Sequence, residues 1–185
     1  IINGTTMGTT YEIKYSKSLF SINQIQEHVN SILEDINKQM STYDNTSEIT
    51  IFNNMPADSL YKISSDFYYV LEKSKYYYDI SEGLFDITVN QLSSIWGFNN
   101  TNFIKPSDDL INTTLEIIGF DKIQLLENNT ISKMNNEIEI NLNAIAKGYA
   151  LDKISQYFDS NDIGNYMIEI GGEIRVKGNN PDNGK

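Results

Sequence analysis

Glu137-Ile-Glu-Ile-Asn-Leu-Asn-Ala-Ile-Ala-Lys-Gly-Tyr-Ala150 changes period in mid-run. Up to Leu142 apolar and polar residues alternate, the signature of a half-buried strand, so a strand is expected over 137–142. From Ala144 the pattern turns helical and stays so to Phe158, which predicts a helix over 144–158. Asn143 stands at the junction as a candidate N-cap, a residue whose side chain can accept a hydrogen bond from a free N–H of the first turn. A strand that passes straight into a helix, with no repeating strand-helix-strand unit and no internal repeat elsewhere, predicts an α+β fold.

The flanks agree with that class. Upstream, Ile123–Leu126 and Thr130–Met134 are short alternating runs separated by Asn128-Asn129 and followed by Asn135-Asn136, so the region reads as an antiparallel meander. Downstream, 166–170 and 173–177 read as two strands about Gly171-Gly172, a bulge, a tight bend or a close backbone approach. Near the start, Tyr11, Ile13 and Tyr15 alternate with polar residues, which predicts a strand over 9–15. Ile22, Ile25, Val29, Ile32, Leu33, Ile36 and Met40 fall at helical spacing behind Ser21, a plausible N-cap. Further helices are expected over 64–78 and over 107–118, the latter stopping at Gly119.

Composition narrows the function classes. The 185 residues are 39% hydrophobic and 11% aromatic, ordinary for a folded chain of one domain. Fourteen Lys and Arg against 25 Asp and Glu give a net charge of −11 at pH 7, which opposes binding to nucleic acid or to an anionic membrane surface. There is no cysteine, so disulfides, thiolate metal sites and cysteine nucleophiles are excluded within it. No apolar run reaches the roughly 18 to 20 residues of a membrane-spanning helix, and no signal-peptide pattern opens the chain. Because it begins Ile1-Ile2-Asn3, a trimmed or processed form of a longer protein is expected.

The single histidine, His28, flanks the apolar stripe of the first long helix and has no second histidine or cysteine to join it at a metal. It reads as a surface residue, and a Ser-His-Asp hydrolase is disfavoured. The start of the 144–158 helix is more suggestive. Small residues there leave backbone N–H groups uncovered, a helix N-terminus favours an anion, and Lys147 lies about one turn inside. The same residues also fit an ordinary capped helix with a solvated lysine. Asp86, after Gly83-Leu-Phe, fits a cap for the next helix as well as a ligand contact. Trp96-Gly97-Phe98 and Met7 read as packing residues, as does Tyr43. Tyr76, Tyr77 and Tyr78 point in different directions along a helix and read as mixed core and surface. No Gly-x-Gly-x-x-Gly joins a strand to a helix, so a dinucleotide fingerprint of the Rossmann kind is absent.

Four stretches, in order, resemble the FAD:protein FMN transferases of the ApbE family: Thr5-Thr-Met-Gly-Thr-Thr-Tyr11; Met40-Ser-Thr-Tyr43 with Ser47-Glu-Ile-Thr-Ile-Phe-Asn53; Gly83-Leu-Phe-Asp-Ile-Thr-Val89 with Trp96-Gly-Phe98; and Asn141–Ala150 followed by Ile168-Glu-Ile-Gly-Gly-Glu-Ile-Arg175. The resemblance implies an ApbE-like, T-fold-related flavin-binding domain. It implies a Mg-dependent transfer in which a threonine of a target flavoprotein takes FMN from FAD as a phosphoester. Residue by residue it implies that Met7, Tyr43, Leu84, Phe85, Asp86, Asn141 and Lys147 line FAD and that Ala144 offers its carbonyl to Mg. Asn141 stands where the family usually has Asp, so a charged contact becomes neutral. The family's metal-binding Asp and Thr and its His-x-x-Asp-Pro segment find no match before Lys185, so residues 1–185 are expected to be the N-terminal portion of such a domain, incomplete as an enzyme. The family also implies a periplasmic or cell-envelope location, with a lipid anchor upstream as the only membrane attachment. Readings from other classes are a flavin-binding protein without transferase activity and a Mg-dependent FAD pyrophosphatase.

Overall fold

The computed structural model describes residues 1–16, 18–98, 103 and 105–179. The end Asn180–Lys185, where the resemblance expects the family's second half to begin, lies outside them. The chain divides into two compact units, Ile1–Lys38 with Ile145–Lys185, and Gln39–Ala144.

In the first unit four antiparallel strands, β1 (Ile2–Thr6), β2 (Thr9–Tyr15), β6 (Tyr166–Ile170) and β7 (Glu173–Lys177), form one sheet in the order β1-β2-β6-β7. Thr6 pairs with Thr9 and Ile170 with Glu173, so both hairpins close through two residues. Both central residues of each turn have positive φ, Met7 at 49° with Gly8 at 71°, and Gly171 at 57° with Gly172 at 98°. Such turns match the right-handed twist of the strands they join. Gly171-Gly172 is therefore the tight bend of the alternatives raised by the sequence.

Helix α1 (Ile22–Met40) and helix α6 (Ala146–Ser160) supply the rest of this unit's core. Ser21 Oγ accepts from the Gln24 N–H while Gln24 Oε1 accepts from the Ser21 N–H, the reciprocal cap that starts α1 where expected. Ile25, Val29, Leu33 and Ile36 of α1 are buried, as are Ala150, Leu151, Ile154 and Phe158 of α6 and Ile13, Ile168 and Ile170 of the sheet. Phe158 meets Tyr166 and Tyr15 edge-on at 5.4 and 5.6 Å between ring centres. On β7 the charged residues are tied to α6: Glu173 to Lys147, Arg175 to Asp152 and Lys177 to Asp159.

The second unit carries a three-stranded antiparallel sheet, β3 (Tyr61–Lys62), β5 (Thr130–Lys133) and β4 (Ile123–Leu126), in the order β3-β5-β4. Its helices are α2 (Glu48–Asn54), α3 (Ser65–Ile80), α4 (Asn90–Ile95) and α5 (Asp108–Ile117). Ser47, Ser64 and Ser107 each cap a helix by accepting an N–H three residues on. Glu48 accepts from both the N–H and the hydroxyl of Ser64, which joins the start of α2 to the cap of α3.

Three expectations need correction here. Residues 137–142 form no strand, although Ile138, Ile140 and Leu142 are buried in the expected alternation. Their backbone is held by side chains instead. The Asn53 side chain donates to the Ile140 carbonyl and accepts from the Ile140 N–H at 3.0 and 2.9 Å, standing in for a neighbouring strand. Asn143 is no N-cap: α6 starts at Ala146, residues 143–145 form a turn, and the Ile145 cap position makes no side-chain hydrogen bond. Finally, Phe98 is exposed and Trp96 only half-buried, because α4 buries none of its residues and Gly97 turns the chain away at φ 80°.

Asn53→Leu should lower unfolding stability by about 2 kcal/mol, because both polar groups of Ile140 lose their partner while the side-chain volume is kept. Urea unfolding followed by circular dichroism measures it.

Candidate functional site

The residues matched to the family's cofactor contacts fall in both units. In the second unit the chain 81–90 makes a series of turns. Ser81 Oγ accepts from the Phe85 N–H, and Gly83 at φ 82° lets the chain reverse behind α3. Leu84 is left 92% exposed at the bend, an apolar side chain with no packing role in this unit. Phe85 is half-buried, edge-on to Tyr77 at 5.9 Å.

Asp86 caps a turn. Its Oδ1 accepts from the N–H and the hydroxyl of Thr88 at 2.8 and 2.7 Å, and the buried Thr88 hydroxyl accepts in turn from the Gly119 N–H at 2.7 Å. It does not cap α4, whose cap position is Val89. One carboxylate oxygen is thus committed to the turn, and Asp86 is held at a fixed place with partial exposure.

Asn141 is bonded to that same turn. Its N–H donates to the Ile87 carbonyl at 2.8 Å, its Nδ2 donates to Asn90 Oδ1 at 3.4 Å, and its Oδ1 accepts from the Asn143 N–H at 2.9 Å. Asn90 donates to Glu139 at 3.1 Å. Segments 86–90 and 139–143, about fifty residues apart in sequence, therefore form one hydrogen-bonded cluster of polar side chains. Ala144 follows in an exposed turn. Tyr43 lies on a separate loop and is 85% exposed.

In the first unit, Lys147 sits in the first turn of α6, where no side chain caps the helix. It is not a free solvated lysine, for its Nζ donates to Glu173 at 2.9 and 3.2 Å. That hydrogen bond is the chief cause holding the Glu173 carboxyl below its ordinary range. Met7 occupies the first position of the β1–β2 turn in the left-handed region, where Asn or Gly is the ordinary choice. An open depression of about 480 Å³ surrounds this turn, lined by Thr5–Thr10.

The oxygen ligands for Mg are sparse. Among the described residues no three Asp, Glu, His or Cys side chains gather as a metal-holding group. The Ala144 carbonyl is a single neutral oxygen, whereas Mg requires a near-octahedral set. The residues present do not by themselves fit the ion.

Sequence reasoning missed Asn90 as the partner of Asn141 and Glu173 as the partner of Lys147, because each contact joins chain segments distant in sequence; the Asp86–Thr88 turn spans only two residues, and an Asp two places before a Thr is a local turn signal that could have found it. Lys133 also escaped it, although the period of two puts Lys133 on the same side of its strand as the buried Ile131.

The ApbE family model matches residues 7–185. This chain belongs to the ApbE family. It is 37% identical to an FAD:protein FMN transferase of Vibrio cholerae over 98% of its own length and 55% of that relative, and 35% identical to one of Haemophilus influenzae over 97% and 54%. The structure of the flavin transferase ApbE from Vibrio cholerae superposes with a TM-score of 0.91 at 37% identity, covering 98% of this chain and 60% of the other. The apo form of the Pseudomonas stutzeri flavinyl transferase ApbE gives 0.91 at 28% identity, with 99% and 59% covered. The chain spans about half the length of the curated relatives it matches. The expected α+β class and family are thereby shown. The roles of Met7, Tyr43, Leu84, Phe85, Asp86, Asn141, Lys147 and Ala144 rest on the match of motifs.

Met7→Asn should raise stability by about 1 kcal/mol, since the left-handed conformation costs most L-residues roughly 1–2 kcal/mol and Asn less. The same change should weaken FAD if the methionine is kept in the turn for the flavin; a denaturation curve and an FAD titration on one variant measure both. The Lys147–Glu173 link also has a definite pH response. With the Glu173 carboxyl lowered in the folded state, its stabilisation is present at neutral pH and is lost only as pH falls through that lowered value. Glu173→Gln should flatten the acid limb of stability, below the ordinary glutamate range, by no more than about 0.5 kcal/mol, because both partners are partly exposed; acid unfolding followed by circular dichroism measures it.

Proposed function

We propose that this chain carries the FAD-binding part of an FAD:protein FMN transferase. The observation that carries the reading is the cluster in which Asn141 and the Asp86–Asn90 turn hold one another, because it joins two motif segments matched to FAD contacts into one rigid polar edge beside the exposed Leu84. The names of the relatives supply the reaction class.

Each group then has a chemical task. Leu84, Phe85, Met7 and Tyr43 offer apolar and aromatic surface to the flavin or adenine rings. Asp86 and Asn141 offer hydrogen bonds to polar edges, with Asn141 neutral where the family usually has a charge. Lys147 and the uncapped start of α6 offer a cation and backbone N–H groups to the pyrophosphate. In the reaction the hydroxyl oxygen of an acceptor threonine bonds to the FMN phosphorus, the bridging P–O bond to AMP breaks, AMP leaves with the bridging oxygen, and the hydroxyl proton passes to a base. Magnesium belongs to this proposal through the Ala144 carbonyl, with its remaining oxygens supplied from outside the described residues. A cell-envelope location with an upstream lipid anchor is likewise part of it.

Incubating the full natural protein with FAD, Mg and a threonine-bearing target, followed by mass spectrometry of the target, tests the activity. Target-bound FMN with released AMP is expected. Free FMN with AMP marks a pyrophosphatase instead, and bound, unaltered FAD marks a flavin-binding protein. Lys147→Ala in that protein should weaken FAD by about tenfold to a hundredfold, about 1.5–3 kcal/mol, and leave riboflavin within about twofold, because riboflavin lacks the phosphates. Equal losses for both ligands would refute the pyrophosphate contact.

A further inference from the structure

Lys133, the last residue of β5, is the one lysine in the described core, with 1% of its surface exposed. Its ammonium donates to three main-chain carbonyls, Asn53 at 2.7 Å, Ile138 at 2.9 Å and Asn136 at 3.2 Å, so every N–H it owns is spent. It also lies 5.7 Å from the centre of the Phe52 ring. No carboxylate forms an ion pair with it among the described residues. Burial pulls its pKa down, while Glu139 opposes the shift.

A buried cation of this kind is a poor source of stability, since an apolar residue of the same length avoids the desolvation cost. What the ammonium adds is geometry. Residues 136–140 have no strand beside them, and their carbonyls at 136 and 138 are gathered onto one point, the Lys133 Nζ, together with the end of α2. Asn53 belongs to the same arrangement twice, its carbonyl on Lys133 and its side chain on Ile140. The next residue, Asn141, carries its N–H to the Ile87 carbonyl.

We propose that Lys133 is a positioning residue for FAD: by fixing 136–140 to the end of α2, it sets where Asn141 and the Asp86–Asn90 turn stand. This rests on the reading that Asn141 contacts FAD. Lys133 itself touches no ligand.

The test uses the full natural protein with Lys133→Met, which keeps the stem and removes the ammonium, Lys133→Arg, which keeps a cation with donors, and Asn141→Ala as a control. FAD titration is combined with hydrogen exchange of peptides covering 136–143 and, as a distant reference, 166–170. Lys133→Met should raise the FAD Kd about tenfold and speed exchange in 136–143, with 166–170 unchanged, and Lys133→Arg should recover most of the affinity. Unchanged exchange in 136–143 overturns the proposal. So does faster exchange there with an unchanged FAD Kd while Asn141→Ala weakens FAD. Faster exchange in both peptides assigns Lys133 a general structural role and also overturns it; should the Met variant not fold, Lys133→Gln is judged by the same criteria. If Asn141→Ala leaves the FAD Kd unchanged, the contact reading of Asn141 is what fails, and the Lys133→Met affinity and exchange results still decide the positioning role.

Discussion

An extended segment with buried alternate side chains and no neighbouring strand must find partners for its backbone elsewhere. Residues 138–142 are such a segment, and several side chains of the second unit meet that need. Buried peptide groups left without partners cost about 1–3 kcal/mol each, so several of them would consume a large share of a domain's net stability. Asn53 satisfies both groups of Ile140, Lys133 collects the carbonyls of Asn136 and Ile138, and the Ile87 carbonyl takes the Asn141 N–H. Side-chain partners allow what a ladder would not. The segment can leave its sheet and end in a polar turn beside a second turn from far away in sequence.

The consequence is a site whose rigidity comes from turns. Asp86 and Thr88 lock one turn, Asn141 and Asn143 the other, and the Asn141–Ile87 bond joins them. Leu84 and Tyr43 remain exposed apolar side chains near the surface of that unit. Single exposed apolar residues are common and by themselves mean little. Here they occupy positions that the motif match assigns to the cofactor, and the proposed function is what would give their exposure a use. In the first unit the ordinary rules of helix capping are relaxed at the start of α6, and a left-handed methionine is tolerated at a hairpin tip. Local departures of this kind concentrate where a protein meets a ligand.

Much was legible because it depends on near neighbours. The strand at 9–15, the hairpin at 166–177 and the capped helices after Ser21, Ser64 and Ser107 all follow from periodicity and caps read within a few residues. The family was legible as well, since its motifs are short and keep their order. What misled was the run Glu137–Leu142. Its alternation correctly reported which side chains are buried, yet alternation is blind to what sits beside the backbone, and Asn53 lies more than eighty residues away. Asn143 misled for a related reason: a residue of the right type stands before the helical pattern, but residues 143–145 form a turn and α6 starts only at Ala146, with Ile145 at the cap position.

By itself, then, the sequence determined the α+β class, the family, the helix starts after Ser21, Ser64 and Ser107 and the acidic character, because each is written in local pattern or in total charge. Only the tertiary structure decided that Asp86 spends an oxygen on Thr88, that Lys147 faces Glu173, and that a lysine in the core gathers three carbonyls. The Lys147–Glu173 and Lys133–Asn53 pairings join groups distant in sequence, the others depend on how a turn is made, and in each case a hydrogen bond or ion pair exists only where the fold brings its two ends within about 3 Å.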